Sequence, residues 1–199
     1  MSTSSSSTPG MARSRAGWLA GQPAQAGPGA AVVIPQGGGA AINAGGMPGL
    51  MKIDPGACGG ALLMHEQDIA PMQLVRAHWH ASAAQWSLVT RGTLMFRVGS
   101  RVHEVREGGF IWRPAAVVHA VWNPGPEPAR QVEGNMPGHG MLRYYQRYAE
   151  LAAAGLPDPE EVSALAAEYG VFFDPGLTAE LERAYQVSAA APSGGGTRP

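Results

Sequence analysis

Apolar and polar positions alternate with a period of two through the middle of the chain and shift to a period near three and a half past Gly140. Short apolar runs between Gly and Pro punctuation predict strands over 31–34, 50–53 and 60–65. Alternation then carries a strand through Leu74, Arg76, His78 and His80, and another over 85–89. Arg91 and Gly92 turn the chain into TLMFRV, and Gly99 and Ser100 turn it again into RVHEVR, a hairpin meander. Further strands are predicted over 110–113, 117–122 and 130–133. Beyond Gly140, Leu142, Tyr145, Tyr148 and Ala152 form one helical stripe and Met141, Tyr144, Tyr148 and Leu151 its neighbour, with Gly155 as terminator. A second helix has Asp158 as N-cap, Pro159 at its first position, Glu160 and Glu161 against the positive end of its dipole, and Gly170 after its last turn. Val162, Leu165, Ala166 and Tyr169 make its buried side.

The chemistry is concentrated in the strand region. Alternate side chains of a strand share a face, so His78 and His80 put two imidazoles on one side. Gln85 and the distant His119 complete a four-member shell only if the sheet curls back on itself, so the pattern predicts a barrel together with a site. Arg76 shares the parity of the histidines and is either a substrate anion anchor or a rim residue in a surface salt bridge. By the same parity Trp79 and Trp86 face away from the ligands, while Phe96, Val117 and Val121 are candidates for an apolar pocket wall. His103 is expected to face solvent.

From His78 the chain reads H-x-H, four residues, Gln85, six residues, Gly92; later it reads Gly108, five residues, Pro114, Ala116, two residues, His119, three residues, Asn123. These spacings resemble the two motifs of the cupin family. The resemblance implies an all-β fold, a jelly-roll β-barrel here followed by a small C-terminal helical segment. It also implies one divalent transition metal, Fe(II) first and Zn, Ni, Co or Mn after it, held by His78, His80, Gln85 and His119. Two positions depart from the family pattern. Gln85 stands where most cupins have glutamate, and its amide brings neither charge nor a carboxylate base. Ala116 replaces the usual glycine, which touches a turn more than the chemistry.

The helical ending, with a P-D-P-E helix leading into YGVFF, resembles single-domain bacterial cupins related to quercetin dioxygenase. That likeness implies a dioxygenase cleaving a carbon–carbon bond of a small enolisable or phenolic substrate, with dioxygen as co-substrate. Gln85, Arg76 and Tyr145 are the candidate catalytic residues, the tyrosine reaching the pocket from a lid helix. A non-redox lyase, isomerase or cyclase using the metal as Lewis acid, and a non-catalytic metal or ligand binder, are the alternatives. Cupins are often dimers, so a homodimer is expected.

Composition bounds the rest. The 199 residues are 45% hydrophobic, enough for one domain with a core. Gly 28 and Pro 17 crowd the two ends. The predicted organisation is therefore a disordered tail over 1–30, a barrel over 31–137, a helical segment over 138–187 and a second disordered tail over 188–199. A net charge of -1 with singly scattered arginines argues against a nucleic-acid partner. Cys58 is the only cysteine, which excludes an internal disulfide and fits a reducing cytoplasm. No apolar run is long enough for a membrane span. The segment after Met11 is too short, too polar and too broken by Pro23 for an export signal, although Met11 itself is a candidate start.

Overall fold

The computed structural model describes residues 31–189. All regular elements among the described residues lie past Val33, in one compact unit that begins at Ile34. The tail expected over 1–30, including Met11 and the rejected export segment, lies outside the described residues, as does most of the tail expected over 188–199. No helix of the described residues is long and apolar enough to cross a membrane.

The strands, in chain order, are β1 (Ala40–Ala44), β2 (Met47–Ile53), β3 (Leu63–Ile69), β4 (Gln73–His80), β5 (Ala84–Arg91), β6 (Thr93–Val98), β7 (Arg101–Arg106), β8 (Phe110–Arg113), β9 (His119–Trp122), β10 (Ala129–Met136), β11 (Val171–Phe173) and β12 (Ser188–Ala189). The helices are α1 (His139–Ala153), α2 (Pro159–Glu168) and α3 (Pro175–Tyr185). One sheet runs β1-β2-β3-β10-β5-β8 and the other β11-β4-β9-β6-β7, with β12 pairing β4 in parallel. Their inner faces meet in a core of Met47, Ile69, Val89 and Ala129 from the first sheet and Leu94, Phe96, Val105 and Val121 from the second. Sheet-on-sheet packing of this kind buries alternate residues of each strand.

The core is two facing sheets followed by the expected helical segment, and among the described residues no strand pair joins the sheets, whose edges are β1 and β8 on one side and β11 and β7 on the other. Two expectations need correction. The apolar run 31–34 forms no strand. Val32 and Val33 are exposed, and Pro35 takes away a ladder donor directly after them. Finally, β4 does not keep one parity along its length. Its register to β9 slips between Val75 and His78, a bulge that re-aims the strand. Leu74 therefore packs with Trp122 and Leu181, while Val75 packs against the inter-sheet core and His78 points to the cavity described below.

The helices are built as their caps dictate. The Asp158 side chain accepts from the Glu160 amide and starts α2. Asp174 accepts from the Leu177 amide and starts α3 one residue before Pro175. Helix α1 buries Met141, Tyr144, Tyr145 and Tyr148, and α3 covers the outer side of the second sheet through Leu181. Trp79 stacks on Phe172 and Trp86 on Phe110. These two tryptophans belong to different sheets, so no single face presents both.

Candidate metal centre

The three histidines converge. His78 and His119 face each other in the register of β4 and β9, with ring centroids 4.5 Å apart. His80 lies 5.0 Å from His78 and 5.5 Å from His119, ring to ring. One ligating nitrogen from each fits within 4.8 Å of the others. The tautomers follow from the backbone. His78 Nδ1 donates to the Arg76 carbonyl at 2.7 Å and His119 Nδ1 to the Val117 carbonyl at 3.0 Å, so each Nε2 carries a free lone pair. Burial lowers the pKa of all three, that of His80 to about 3 and that of His119 well below its ordinary value. The imidazoles are neutral and ready to ligate.

The facing sheet supplies a wall of buried polar groups. His65 and Gln67 of β3, Gln85 and Ser87 of β5, Arg113 of β8, and Gln131, Glu133 and Asn135 of β10 are all buried. Arg113 donates to Ser87 Oγ at 2.7 Å and to Glu133 Oε2 at 2.8 Å. Burial pushes the Glu133 carboxyl up, but Arg113 and the His65 ring 3.9 Å away more than offset this and hold it below its usual value. Gln85 Nε2 donates to Asn135 Oδ1 at 2.6 Å and to Glu133 Oε1 at 3.2 Å.

A metal ion fits these donors on the evidence of their own unmet valence. Among the described residues, both ring nitrogens of His80, Nε2 of His119 and Oε1 of Gln85 are buried without a partner in hydrogen-bond geometry, and buried polar atoms are rarely left so. Three imidazole nitrogens and an amide oxygen suit several divalent transition metals.

The cavity beside them is lined by Arg76, His78, His80, Gln85, Glu133 and Tyr145 among others. Arg76 has its guanidinium carbon 4.5 Å from the centroid of the Phe173 ring, and no carboxylate pairs with it among the described residues. The salt-bridged rim residue expected as its alternative is therefore not what is found. Tyr144 and Tyr145 line the cavity and Tyr148 does not. Burial raises the Tyr145 phenol well above its ordinary pKa and that of Tyr144 to about 12. Of the apolar wall candidates, Val121 lines the cavity. Phe96 is buried in the core beneath the Arg113 guanidinium, and Val117 contributes only its carbonyl. His103 is exposed, as expected.

A family model described as the cupin domain matches residues 65–133. The match spans β3 to β10 and contains all three histidines. Over those residues the chain is similar to the cupin domain. Among solved structures, this chain is similar to an uncharacterised conserved protein with a double-stranded beta-helix domain from Klebsiella pneumoniae (21% identity, 46% of this chain and 76% of that one, TM-score 0.41). It is similar also to a predicted oxalate decarboxylase from Thermotoga maritima (13%, 46% and 80%, TM-score 0.44) and to the Cnp3 cupin domain of Schizosaccharomyces pombe (10%, 57% and 74%, TM-score 0.42). No curated protein matches the chain.

Sequence reasoning did not single out Glu133, Arg113, His65 or Asn135 as site residues. Their signal was present as alternation: His65 and Gln67 in LMHEQDI, and Gln131, Glu133 and Asn135 in RQVEGNM, share one parity.

Proposed function

We propose that this metal-binding cupin is an enzyme acting on a compact anionic molecule that is enolisable or phenolic, and that the reaction is dioxygenase cleavage of a carbon–carbon bond. The observation carrying this reading is the meeting, on the wall of one cavity, of three lone-pair-bearing histidines with Arg76, which pairs with no carboxylate among the described residues. His78, His80 and His119 hold the ion, with Gln85 Oε1 as the fourth donor. A divalent metal there, Fe(II) first and Zn, Ni, Co or Mn after it, supplies Lewis acidity that neutral ligands leave undiminished.

The residues around it divide the remaining work. Arg76 binds the substrate's negative charge, its plane kept in place by the Phe173 ring. Tyr145 stays protonated at neutral pH because burial raises its pKa, so it donates a hydrogen bond and takes no proton. Glu133 is the only carboxylate on the wall among the described residues, and Arg113 holds it. A base is therefore not free, and the substrate arrives already ionised. The space open to water inside the cavity is about 70 Å³, room for on the order of five water molecules. Binding of an anion by Arg76 beside the histidines favours a compact molecule that already carries a carboxylate, such as a 1,3-diketo acid or hydroxy acid, over an uncharged flavonol.

The same lack of a free base favours a second reading, Lewis-acid lyase, isomerase or cyclase chemistry without oxygen. Oxygen uptake by the Fe(II)-loaded protein separates the two. Uptake with a 1,3-diketone bearing a carboxylate and little with a flavonol is the expected result. Conversion of an enolisable acid without oxygen would replace it with the second reading, and inertness in both assays would leave a binding protein.

A further inference from the structure

We infer that Glu133 is a positioning residue for Gln85, and that the two share a single negative charge, placed at 133, which turns the Gln85 carbonyl oxygen toward the histidines. The inference rests on the proposed metal site and concerns how its fourth donor is set.

An amide can present either its oxygen or its nitrogen to a neighbour, and a carboxylate accepts only. Gln85 must therefore turn Nε2 toward Glu133 Oε1, 3.2 Å away, and the same nitrogen meets Asn135 Oδ1 at 2.6 Å. Oε1 is left on the other side, buried and near His80, without a donor in hydrogen-bond geometry among the described residues. Glu133 cannot swing aside. Its Oε2 accepts from Arg113 Nη2 at 2.8 Å and from Gln131 Nε2 at 3.4 Å, and Arg113 is itself anchored on Ser87. The strand register makes this rigid: Gln85 lies opposite Asn135 on one side and Arg113 on the other, and Glu133 opposite Ser87 and His65. A carboxylate at position 85 would meet the Glu133 carboxylate at hydrogen-bond distance in a buried site, where like charges repel strongly. One carboxylate fits this pair of positions, and a neutral amide must stand at the other.

The test uses Co(II) titrated into the metal-free full-length protein, with affinity read by chelator competition and coordination read from the visible ligand-field band. Glu133→Gln should weaken Co(II) binding about tenfold, as loss of a group that orients a ligand does, and should shift the band. Gln85→Glu should lower the melting temperature of the metal-free protein, and the exchange Gln85→Glu/Glu133→Gln should recover most of that loss. Because Glu133→Gln leaves Arg113 without its partner and can impair folding, Asn135→Ala serves beside it. It removes one acceptor of the Gln85 amide, leaves the ion pair intact, and should weaken Co(II) several-fold with a shifted band. Wild-type affinity and an unchanged band in Glu133→Gln and Asn135→Ala would overturn the inference, as would a double exchange whose melting loss equals the sum of the single ones. His119→Ala separates the levels. If it abolishes Co(II) binding while the orienting variants have no effect, this inference alone fails. A wild-type protein that takes no Co(II) contradicts the metal site and the inference together.

Discussion

His78 and His119, far apart in the sequence, stand directly opposite each other across the β4–β9 pair, with their rings 4.5 Å apart and each Nδ1 tied to a carbonyl two residues back in its own chain. Two ladder-bound strands therefore fix two candidate metal ligands at once, and a site on strands is stiffer than one on loops. The bulge in β4 places Arg76 beside the same cavity.

Arg76→Gln should raise the Kd or KM for an anionic substrate about tenfold to a hundredfold, since a hydrogen bond to a charged group contributes roughly 1.5–3 kcal/mol. Metal content should not change, because no metal ligand depends on that side chain. Calorimetric titration of a carboxylate inhibitor into metal-loaded protein measures it. Unaltered affinity would remove Arg76 from the anion site.

Ala116 has φ +59°, a left-handed conformation that costs an L-residue about 1–2 kcal/mol. Its amide donates to the His80 carbonyl at 2.7 Å, so the turn is held to the histidine strand and cannot relax. Ala116→Gly should stabilise the protein by about 1 kcal/mol after the greater freedom of glycine in the unfolded chain is deducted. Scanning calorimetry should then show a rise of about 2–4 °C.

The strand pattern, both early helices and the histidine set could be read from the sequence because each follows from local periodicity or capping. The buried polar wall could not. In β3 and β10 the residues facing inward are His65, Gln67, Gln131, Glu133 and Asn135. An alternating strand with polar residues on one parity ordinarily turns them outward; here their partners come from neighbouring strands and satisfy them indoors. The slip in β4 escaped for a similar reason, because a bulge adds a residue without altering the local composition. Helix α3 was legible but unread: Asp174 and Pro175 repeat the Asp158 and Pro159 signal that marked α2.

Burial lowers the pKa of His65 and takes that of His80 to about 3. In the unfolded chain both titrate near 6.5. Below that pH the unfolded state binds protons that the folded state does not. Stability from these groups is thus complete above pH 6.5 and is lost as pH falls below it, for His80 down to about pH 3 and by up to about 1.4 kcal/mol per pH unit. Glu133, with its pKa lowered, adds to the acid loss in the carboxylate range. Thermal melts of the metal-free protein should be flat at alkaline pH and fall steadily below 6.5. A melting temperature constant from pH 8 to 5 would contradict buried neutral histidines.

The central claim is a metal held by His78, His80 and His119. Elemental analysis of protein purified without chelator, wild type beside His119→Ala, tests it most directly. About one divalent transition metal ion per chain in the wild type and near none in a folded His119→Ala protein is the predicted result. Full occupancy in the variant, or a wild type that stays empty after incubation with Fe(II), Co(II) and Zn(II) in turn, would contradict it.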